Sequence, residues 1–226
     1  MPIEAVIFDL DGTLANFNLD YKTLRAEVRS YLIRKGVPTS LVDVNESIFE
    51  MLKKAELFLK NNNKSATKFE DVLSHALAIA EKYEMEAAST TNLQVGANET
   101  LKELKRMNLK IGLCTTSSDK AVNYIIKRFK IQDFFQVVVT RNNVKYVKPS
   151  TEQFELALKT LNVAPIDTVI VGDNIVDMQS TKELKAVAVG FPTGVSSLEQ
   201  LKNNGANYII TSLIDLPVLI KEINKG

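Results

Sequence analysis

Short apolar runs rich in Val and Ile recur along the chain and are separated by longer amphipathic stretches. Each run is too short for a helix, and each is continuously apolar, as expected of strands that are buried on both faces of a parallel sheet. The runs lie at residues 5–8, 110–114, 137–140, 168–171, 186–189 and 208–210. The pattern therefore predicts the strands of one buried sheet.

Between several of these runs, apolar residues follow the spacing of a helix. The clearest sets are Leu101, Leu104 and Met107; Val122, Ile125, Ile126 and Phe129; and Phe154, Ala157, Leu158 and Leu161. Strands that alternate with amphipathic helices imply right-handed crossovers between parallel strands. We therefore predict a doubly wound, Rossmann-like α/β core.

The first run breaks this alternation, because the next strand signal comes only at Lys110. Three helical patterns precede it: Leu24, Val28, Tyr31 and Leu32; Ile48, Met51, Leu52 and Ala55; and Val72, Ala76, Ile79 and Ala80. Their apolar faces can pack together as a small bundle. We predict a helical cap over residues 16–91, inserted between core segments 1–15 and 92–226, with a loop at the polar stretch 61–65.

Composition narrows the classes of partner. The chain of 226 residues is 45% apolar and 24% charged, which is typical of a globular protein that can bury a core. The net charge of +1 provides no long-range field for polyanions, and no local basic patch is evident, so neither nucleic acid nor an anionic membrane is an expected partner. The sequence leaves the oligomeric state open between a monomer and a small homo-oligomer.

The number of cysteines and the hydropathy of the chain indicate the cellular compartment. The single cysteine, Cys114, cannot form an intramolecular disulfide or a zinc cluster, which fits a reducing compartment. No apolar run approaches the ~18 residues of a membrane span, and the first residues lack the features of a signal peptide. We expect a cytoplasmic protein.

Two carboxylates follow the first predicted strand. If that strand ends near Asp9, both Asp9 and Asp11 lie at its carboxyl end, where Gly12 permits a tight turn. Two acids this close repel each other, and a bound Mg²⁺ ion, which prefers oxygen ligands, commonly offsets this repulsion. One Asp could attack phosphorus while the other moves a proton. An ordinary Asx-type turn is the structural alternative.

A second acidic loop follows the run at 168–171. Gly172 and Asp173 come directly after it, and Asp177 lies four residues further on. Taken alone, these acids could simply cap a helix N-terminus. The strands of a parallel sheet end at one edge, however, and ligands bind there. Together the two acidic loops predict the two halves of one metal site.

Two further strand ends offer groups that bind phosphate. After residues 111–114 come Thr115 and Thr116, whose hydroxyls and backbone N–H groups near a helix N-terminus suit a phosphoryl group. After residues 137–140 comes Lys148, whose ammonium group could neutralise a phosphoryl oxygen or restrain a nucleophile. The alternatives are a plain helix cap for the threonines and a solvated side chain for the lysine.

In this order, the four segments resemble the motifs of the haloacid dehalogenase superfamily of phosphohydrolases. The matching residues are Asp9-Leu10-Asp11-Gly12-Thr13, the strand leading to Thr115, Lys148-Pro149, and Gly172-Asp173-Asn174 with Asp177. The resemblance spans the whole predicted core. The point of insertion is similar to that of the helical-cap subgroup, which includes phosphoglycolate phosphatases and β-phosphoglucomutase.

The resemblance implies a role for each core residue. Asp9 would attack phosphorus and become an aspartyl-phosphate, and Asp11 would protonate the leaving group and later activate water. Thr115 would hydrogen-bond the phosphoryl group, and Lys148 would offset its charge. Thr116 is a further candidate for substrate binding.

The resemblance also implies a ligand set for Mg²⁺. The ion would be held by the Asp9 side chain, the Asp11 backbone carbonyl and Asp173. Asp177 would bind it through water or support these ligands from outside.

Some assignments stay open at this level. Thr116 or Lys145 could take the place of Thr115 or Lys148. Arg25 and Arg29 lie on one ridge of the first cap helix and could bind a second charge on the substrate, although the pattern favours a solvated helix face.

The function expected from these residues is that of a Mg²⁺-dependent phosphatase acting on a small phosphorylated metabolite. A phosphomutase of the β-phosphoglucomutase type would need the same core residues. A non-catalytic protein that binds phosphorylated ligands is the remaining alternative, although it would have no reason to keep mutually repelling acids together. Departures from the family pattern near the motifs, such as Val95-Gly96 and Leu184-Lys185, leave the substrate undetermined.

Overall fold

The computed structural model describes residues 2–16, 18–61 and 66–225. The chain forms two compact units. Met1–Phe17 and Thr90–Gly226 make up the core unit, and Asn18–Ser89 makes up the helical unit. The insertion predicted over residues 16–91 differs from the helical unit by two residues at each end.

The core unit contains a six-stranded sheet in which every neighbouring pair is parallel. Its strands are β1 (Ala5–Phe8), β2 (Lys110–Cys114), β3 (Val137–Val139), β4 (Thr168–Gly172), β5 (Val187–Gly190) and β6 (Tyr208–Ile209). Their order across the sheet is β3-β2-β1-β4-β5-β6. The predicted doubly wound α/β core is confirmed, and the order reverses between β1 and β4, where such folds bind ligands.

In chain order, the α-helices of the described residues are α1 (Tyr21–Arg34), α2 (Ile48–Asn61), α3 (Ala66–Thr90), α4 (Ala97–Arg106), α5 (Asp119–Arg128), α6 (Glu152–Leu161), α7 (Ile175–Leu184), α8 (Leu198–Asn203) and α9 (Leu216–Ile223). None of the helices in this described part of the chain is both long enough and apolar enough to cross a bilayer.

The sheet positions the site because β1, β2 and β4 are in register: Phe8 of β1 lies opposite Leu113 of β2 and Val171 of β4.

Some strand ends differ from the prediction by one residue. β3 ends at Val139 because Thr140 caps a short turn, in which its hydroxyl accepts a hydrogen bond from the Asn142 N–H at 3.1 Å. β5 begins after Ala186, whose N–H instead bonds the Thr181 carbonyl at the end of α7. β4 extends to Gly172, which pairs with Gly190.

The helical unit has its own hydrophobic core. α1 contributes Leu24, Val28 and Leu32, and these residues pack in one buried cluster with residues of α2 and α3 such as Met51 and Ala76. This cluster is the bundle that the three helical patterns predicted. Of the loop predicted over 61–65, Asn61 belongs instead to α2, and residues 62–65 lie outside the described residues.

Candidate active site

The first acidic turn lies directly against the end of β4. The Asp9 N–H donates to the Val171 carbonyl at 2.9 Å, so the chain leaves β1 in register with β4. Gly12 follows with φ of 88°, and a Cβ added there would lie 2.5 Å from Asp173 Oδ2. Both the backbone conformation and the lack of space require glycine. The sequence thus brings the Asp9–Gly12 turn against Asp173.

Three carboxylates converge at this edge of the sheet. One oxygen from each of Asp9, Asp173 and Asp177 lies within 4.8 Å of the others, and all three residues are buried. The prediction that opposite ends of the chain contribute acids to one place is thereby met. A donor set made only of carboxylate oxygens suits a hard divalent cation such as Mg²⁺.

Lys148 lies between two of these acids. Its Nζ donates to Asp9 Oδ1 at 2.5 Å, to Asp177 Oδ1 at 2.6 Å and to the Cys114 carbonyl at 3.0 Å. Burial would lower the pKa of Lys148, but the charges of Asp177 and Asp9 outweigh burial and raise its pKa above the usual value. The lysine is therefore a fixed positive charge in the site.

One lysine does not balance three acids, and the pKa values show this. Burial raises the pKa of Asp9 well above 3.8; Lys148 lowers it, while Asp177, Asp173 and Asp11 raise it further. Burial, with the charge of Asp177, also raises the pKa of Asp173 to about 7, against hydrogen bonds from Thr13 and Val195. The cluster lacks positive charge, and a divalent cation would supply it.

Asp173 and Asp177 are held by groups from several loops. Asp173 Oδ1 accepts from the Thr13 hydroxyl at 3.1 Å, and Asp177 Oδ2 accepts from the Asn174 N–H at 3.2 Å. A Cβ on Gly172 would lie 2.5 Å from the Asp177 Cβ, so glycine is needed for this acid to fold back on the strand end. The acids are fixed before any ligand binds.

Hydroxyl groups from the loop after β2 hold Asp11. Its Oδ2 accepts from Ser117 Oγ at 2.5 Å and from Thr115 Oγ1 at 3.2 Å. Thr115 was predicted as a site residue, and Ser117 was missed. The run of four hydroxyl residues at 115–118 was a visible signal, but it did not show which of them faces Asp11.

The alternative residues Thr116 and Lys145 make other contacts. The Thr116 carbonyl accepts from Arg141 Nη1 at 3.3 Å, and the Lys145 ammonium lies over the Tyr146 ring, 4.9 Å from its centroid. In this structure it is Lys148 that contacts Asp9 and Thr115 that contacts Asp11.

Arg25 and Arg29, the candidate substrate-binding arginines, bond to the backbone of the helical unit. Arg29 Nε donates to the Val42 carbonyl at 2.8 Å, and Arg25 Nη1 reaches the Asn45 carbonyl at 3.4 Å. Both side chains thereby hold the segment that connects α1 and α2. Their use in substrate binding stays a prediction.

Gln153 is a buried residue that the sequence did not single out. From the first turn of α6, its Nε2 donates to the Thr115 carbonyl at 2.7 Å, and its Oε1 accepts from the Lys148 N–H at 3.2 Å. The side chain is fully buried. One amide group therefore joins two of the predicted site loops, and a glutamine in a helix gives no sequence signal for such a role.

Fold and site together define a class of phosphate-processing enzyme. The family model "Haloacid dehalogenase-like hydrolase" matches residues 6–191, which include all four motifs. The chain belongs to this family, and the protein is a phosphohydrolase. The resemblance drawn from the sequence is thereby confirmed.

Particular relatives are similar along the whole chain. A protein named pyrophosphatase PpaX from Bacillus mycoides (strain KBAB4) is 30% identical over 237 residues, covering 99% of this chain and all of the relative. Among solved structures, a hydrolase from Pseudomonas syringae matches with a TM-score of 0.68 at 24% identity, covering 97% of this chain and 99% of that one. A phosphonoacetaldehyde hydrolase-like protein from Oleispira antarctica matches with a TM-score of 0.71 at 18% identity, covering 100% and 94%. These structures share the fold.

Proposed function

We propose that this protein is a Mg²⁺-dependent phosphatase that hydrolyses a small phosphorylated metabolite through an aspartyl-phosphate on Asp9. The observation that carries the proposal is the buried cluster of Asp9, Asp173 and Asp177 with Lys148 as its cation. Asp11 lies two residues beyond Asp9, within reach of the same turn. The proposal takes Asp9 as the nucleophile, Asp11 as the proton carrier and the acidic cluster as the place for a metal ion.

Asp9 is the nucleophile in this proposal. Lys148 holds its Oδ1, which leaves the other oxygen, Oδ2, to attack phosphorus. The bond from Asp9 to phosphorus forms as the bond from phosphorus to the leaving oxygen breaks. A dianionic substrate is repelled by a carboxylate, so the positive charge of Lys148 also offsets charge on the phosphoryl oxygens.

Asp11 moves the proton. In its protonated form it gives the proton to the leaving oxygen, and the resulting carboxylate then takes a proton from the water that attacks the aspartyl-phosphate. Inorganic phosphate leaves and Asp9 is regenerated. Thr115 and Ser117 hold the Asp11 carboxyl group in a single orientation for both steps.

Mg²⁺ would be held by the carboxylates of Asp9 and Asp173 and by the Asp11 carbonyl, with Asp177 supporting them. The ion would supply positive charge that screens the substrate from the acids and stabilises the charge that develops on the transferred group. The raised pKa values of Asp9 and Asp173 support this assignment, because they reflect the shortage of positive charge at the cluster.

Pyrophosphate is a second candidate substrate. A relative that is 30% identical along the whole chain is named a pyrophosphatase. Pyrophosphate has a better leaving group than an alkyl monoester, because phosphate is a weaker base than an alkoxide and needs less help from a general acid. Asp11→Asn should therefore lose less activity on pyrophosphate than on a sugar phosphate.

The function is tested by phosphate release from a panel of substrates. Purified protein is assayed with Mg²⁺ or EDTA on p-nitrophenyl phosphate, pyrophosphate, phosphorylated sugars, two-carbon phosphoacids and nucleotides. We expect Mg²⁺-dependent release by the wild type and by the exposed control Asp215→Asn, and a loss of roughly 10³-fold or more for Asp9→Asn.

Each other outcome points to a specific alternative. Equal rates for the wild type and Asp9→Asn would contradict the mechanism. Binding of phosphorylated ligands without turnover would support the non-catalytic alternative. Conversion of a sugar phosphate to its isomer, with little phosphate released, would indicate a phosphomutase.

A further inference from the structure

The loop that follows β5 contacts both halves of the acidic site. We call residues 193–196 the clamp loop. Thr193 Oγ1 donates to the Gly12 carbonyl at 2.6 Å, and the same carbonyl accepts a longer bond of 3.4 Å from Gln94. Thr193 is itself fixed by its N–H, which donates to the Phe191 carbonyl at 2.8 Å. The clamp loop thereby holds the Gly12 carbonyl, which follows the Asp11 carbonyl in the chain.

The same loop surrounds Asp173. The Val195 N–H donates to Asp173 Oδ2 at 3.2 Å, while Thr13 holds Oδ1 from the other side. A Cβ added to Gly194 would lie 1.7 Å from Asp173 Oδ2, so only glycine leaves room for this carboxylate. The position of Asp173 is therefore set by the clamp loop as well as by its own strand.

A third contact reaches the helix that carries Asp177. The buried Ser196 accepts through Oγ a hydrogen bond of 3.1 Å from the Ile175 N–H, the first residue of α7. This bond satisfies one of the free N–H groups at the start of that helix. The clamp loop thus contacts the turn after β1, the acid after β4 and the start of α7.

We propose that the clamp loop is a positioning element of the metal site, with Thr193 and Gly194 as positioning residues. The proposal rests on the proposed function, because it assumes that Asp9, Asp173 and Asp177 hold a divalent cation. Carboxylates that repel one another must be kept together before the ion arrives, and groups that orient metal ligands affect affinity strongly. None of the four sequence motifs includes a residue of this loop.

The test measures metal binding directly, without substrate and without turnover. Mn²⁺ serves as the probe, and the free ion is followed by electron paramagnetic resonance as it is titrated into the full-length protein. The variants are Thr193→Val, which removes the hydroxyl; Thr193→Ser, which restores it; and Gly194→Ala. The control is Thr160→Val on α6, whose exposed hydroxyl donates to the Leu156 carbonyl of its own helix. Thermal unfolding of each metal-free protein is recorded in parallel.

We expect Thr193→Val to weaken Mn²⁺ binding roughly tenfold and Gly194→Ala to weaken it at least as much. Thr193→Ser and Thr160→Val should bind like the wild type. Thr193→Val and Gly194→Ala proteins that bind Mn²⁺ as tightly as the wild type, even with lower unfolding temperatures, would overturn the inference and leave the loop a purely structural role. A wild type that binds no Mn²⁺ would instead overturn the proposed function.

Discussion

At the scale of single residues, the central feature is one buried ammonium group shared by two buried carboxylates. Lys148 contacts both Asp9 and Asp177, and the side chains of all three residues are at least nine-tenths buried. Asp173 is held by neutral donors from Thr13 and Val195. The cluster consequently depends on Lys148 for its internal charge balance when no metal ion is bound.

Replacing this lysine should destabilise the metal-free protein. Lys148→Met leaves Asp9 and Asp177 without their cation, and breaking a buried pair in this way costs about 3–5 kcal/mol. We expect that loss in the free energy of unfolding, measured by urea denaturation at pH 8 in EDTA. The exposed Lys145→Met should change it by no more than about 0.5 kcal/mol. Equal effects from the two substitutions would contradict the account.

The stability of the metal-free protein should also depend on pH. Because burial raises the pKa of Asp173 to about 7 from 3.8, the folded state keeps a proton that the unfolded state loses between these values. This contribution to stability is fully present below pH ~4 and is lost as the pH rises through ~7. The raised pKa of Asp9 acts in the same direction.

We therefore expect Asp173→Asn, which removes the buried charge, to become more stable relative to the wild type as the pH rises from 5 to 8 in EDTA. Thermal unfolding of the two proteins across this range measures the effect. A constant difference between the two unfolding temperatures would argue against a raised pKa for Asp173.

At the scale of elements, strands were easier to predict than the last helices. The four central strands are almost wholly buried, so each produced a continuous apolar run. The edge strands β3 and β6 are partly exposed, but their short runs of Val, Tyr and Ile were still visible. α7 gave no clear helical pattern because it buries polar residues, Asp177, Ser180 and Thr181, toward the site. α8 spans only six residues and α9 only eight, so each is too short to repeat a helical period more than twice.

The residues of the site likewise differ in how well the sequence predicts them. The acids and Lys148 could be predicted because they follow strands whose ends must meet at one edge of a parallel sheet. Ser117, Gln153 and Thr193 could not, because their contacts depend on the direction of side chains in loops and at a helix start. Sequence order carries the first kind of information and not the second.

Helix α6 supplies a test of one such contact. Gln153→Met keeps the size of the side chain but leaves the Thr115 carbonyl and the Lys148 N–H without their partner. Leaving a buried polar group unsatisfied costs about 1–3 kcal/mol. We expect a loss of that order in the free energy of unfolding, measured in urea, with the exposed Gln179→Met close to the wild type. A Gln153→Met protein as stable as the wild type would show that water or neighbouring groups replace the amide.

At the scale of the whole molecule, the two units divide the candidate residues unequally. The helical unit contains Arg25 and Arg29, which bond to its own backbone. The core unit contains the nucleophile, proton carrier, cation and metal ligands proposed above: Asp9, Asp11, Thr115, Lys148, Asp173 and Asp177. With a net charge of only +1, the chain has no strong overall field, so a phosphorylated substrate must be attracted by this local site.

The proposed mechanism depends most directly on the covalent step at Asp9. Wild-type protein is mixed with Mg²⁺ and the best substrate of the panel, quenched in acid within a single turnover and digested, and the peptide that contains Asp9 is analysed by mass spectrometry. We expect a peptide heavier by one phosphoryl group, with the modification on Asp9 and absent in EDTA. Turnover of the same substrate with the phosphoryl group on another residue, or with none trapped although Asp9→Asn remains active, would contradict it.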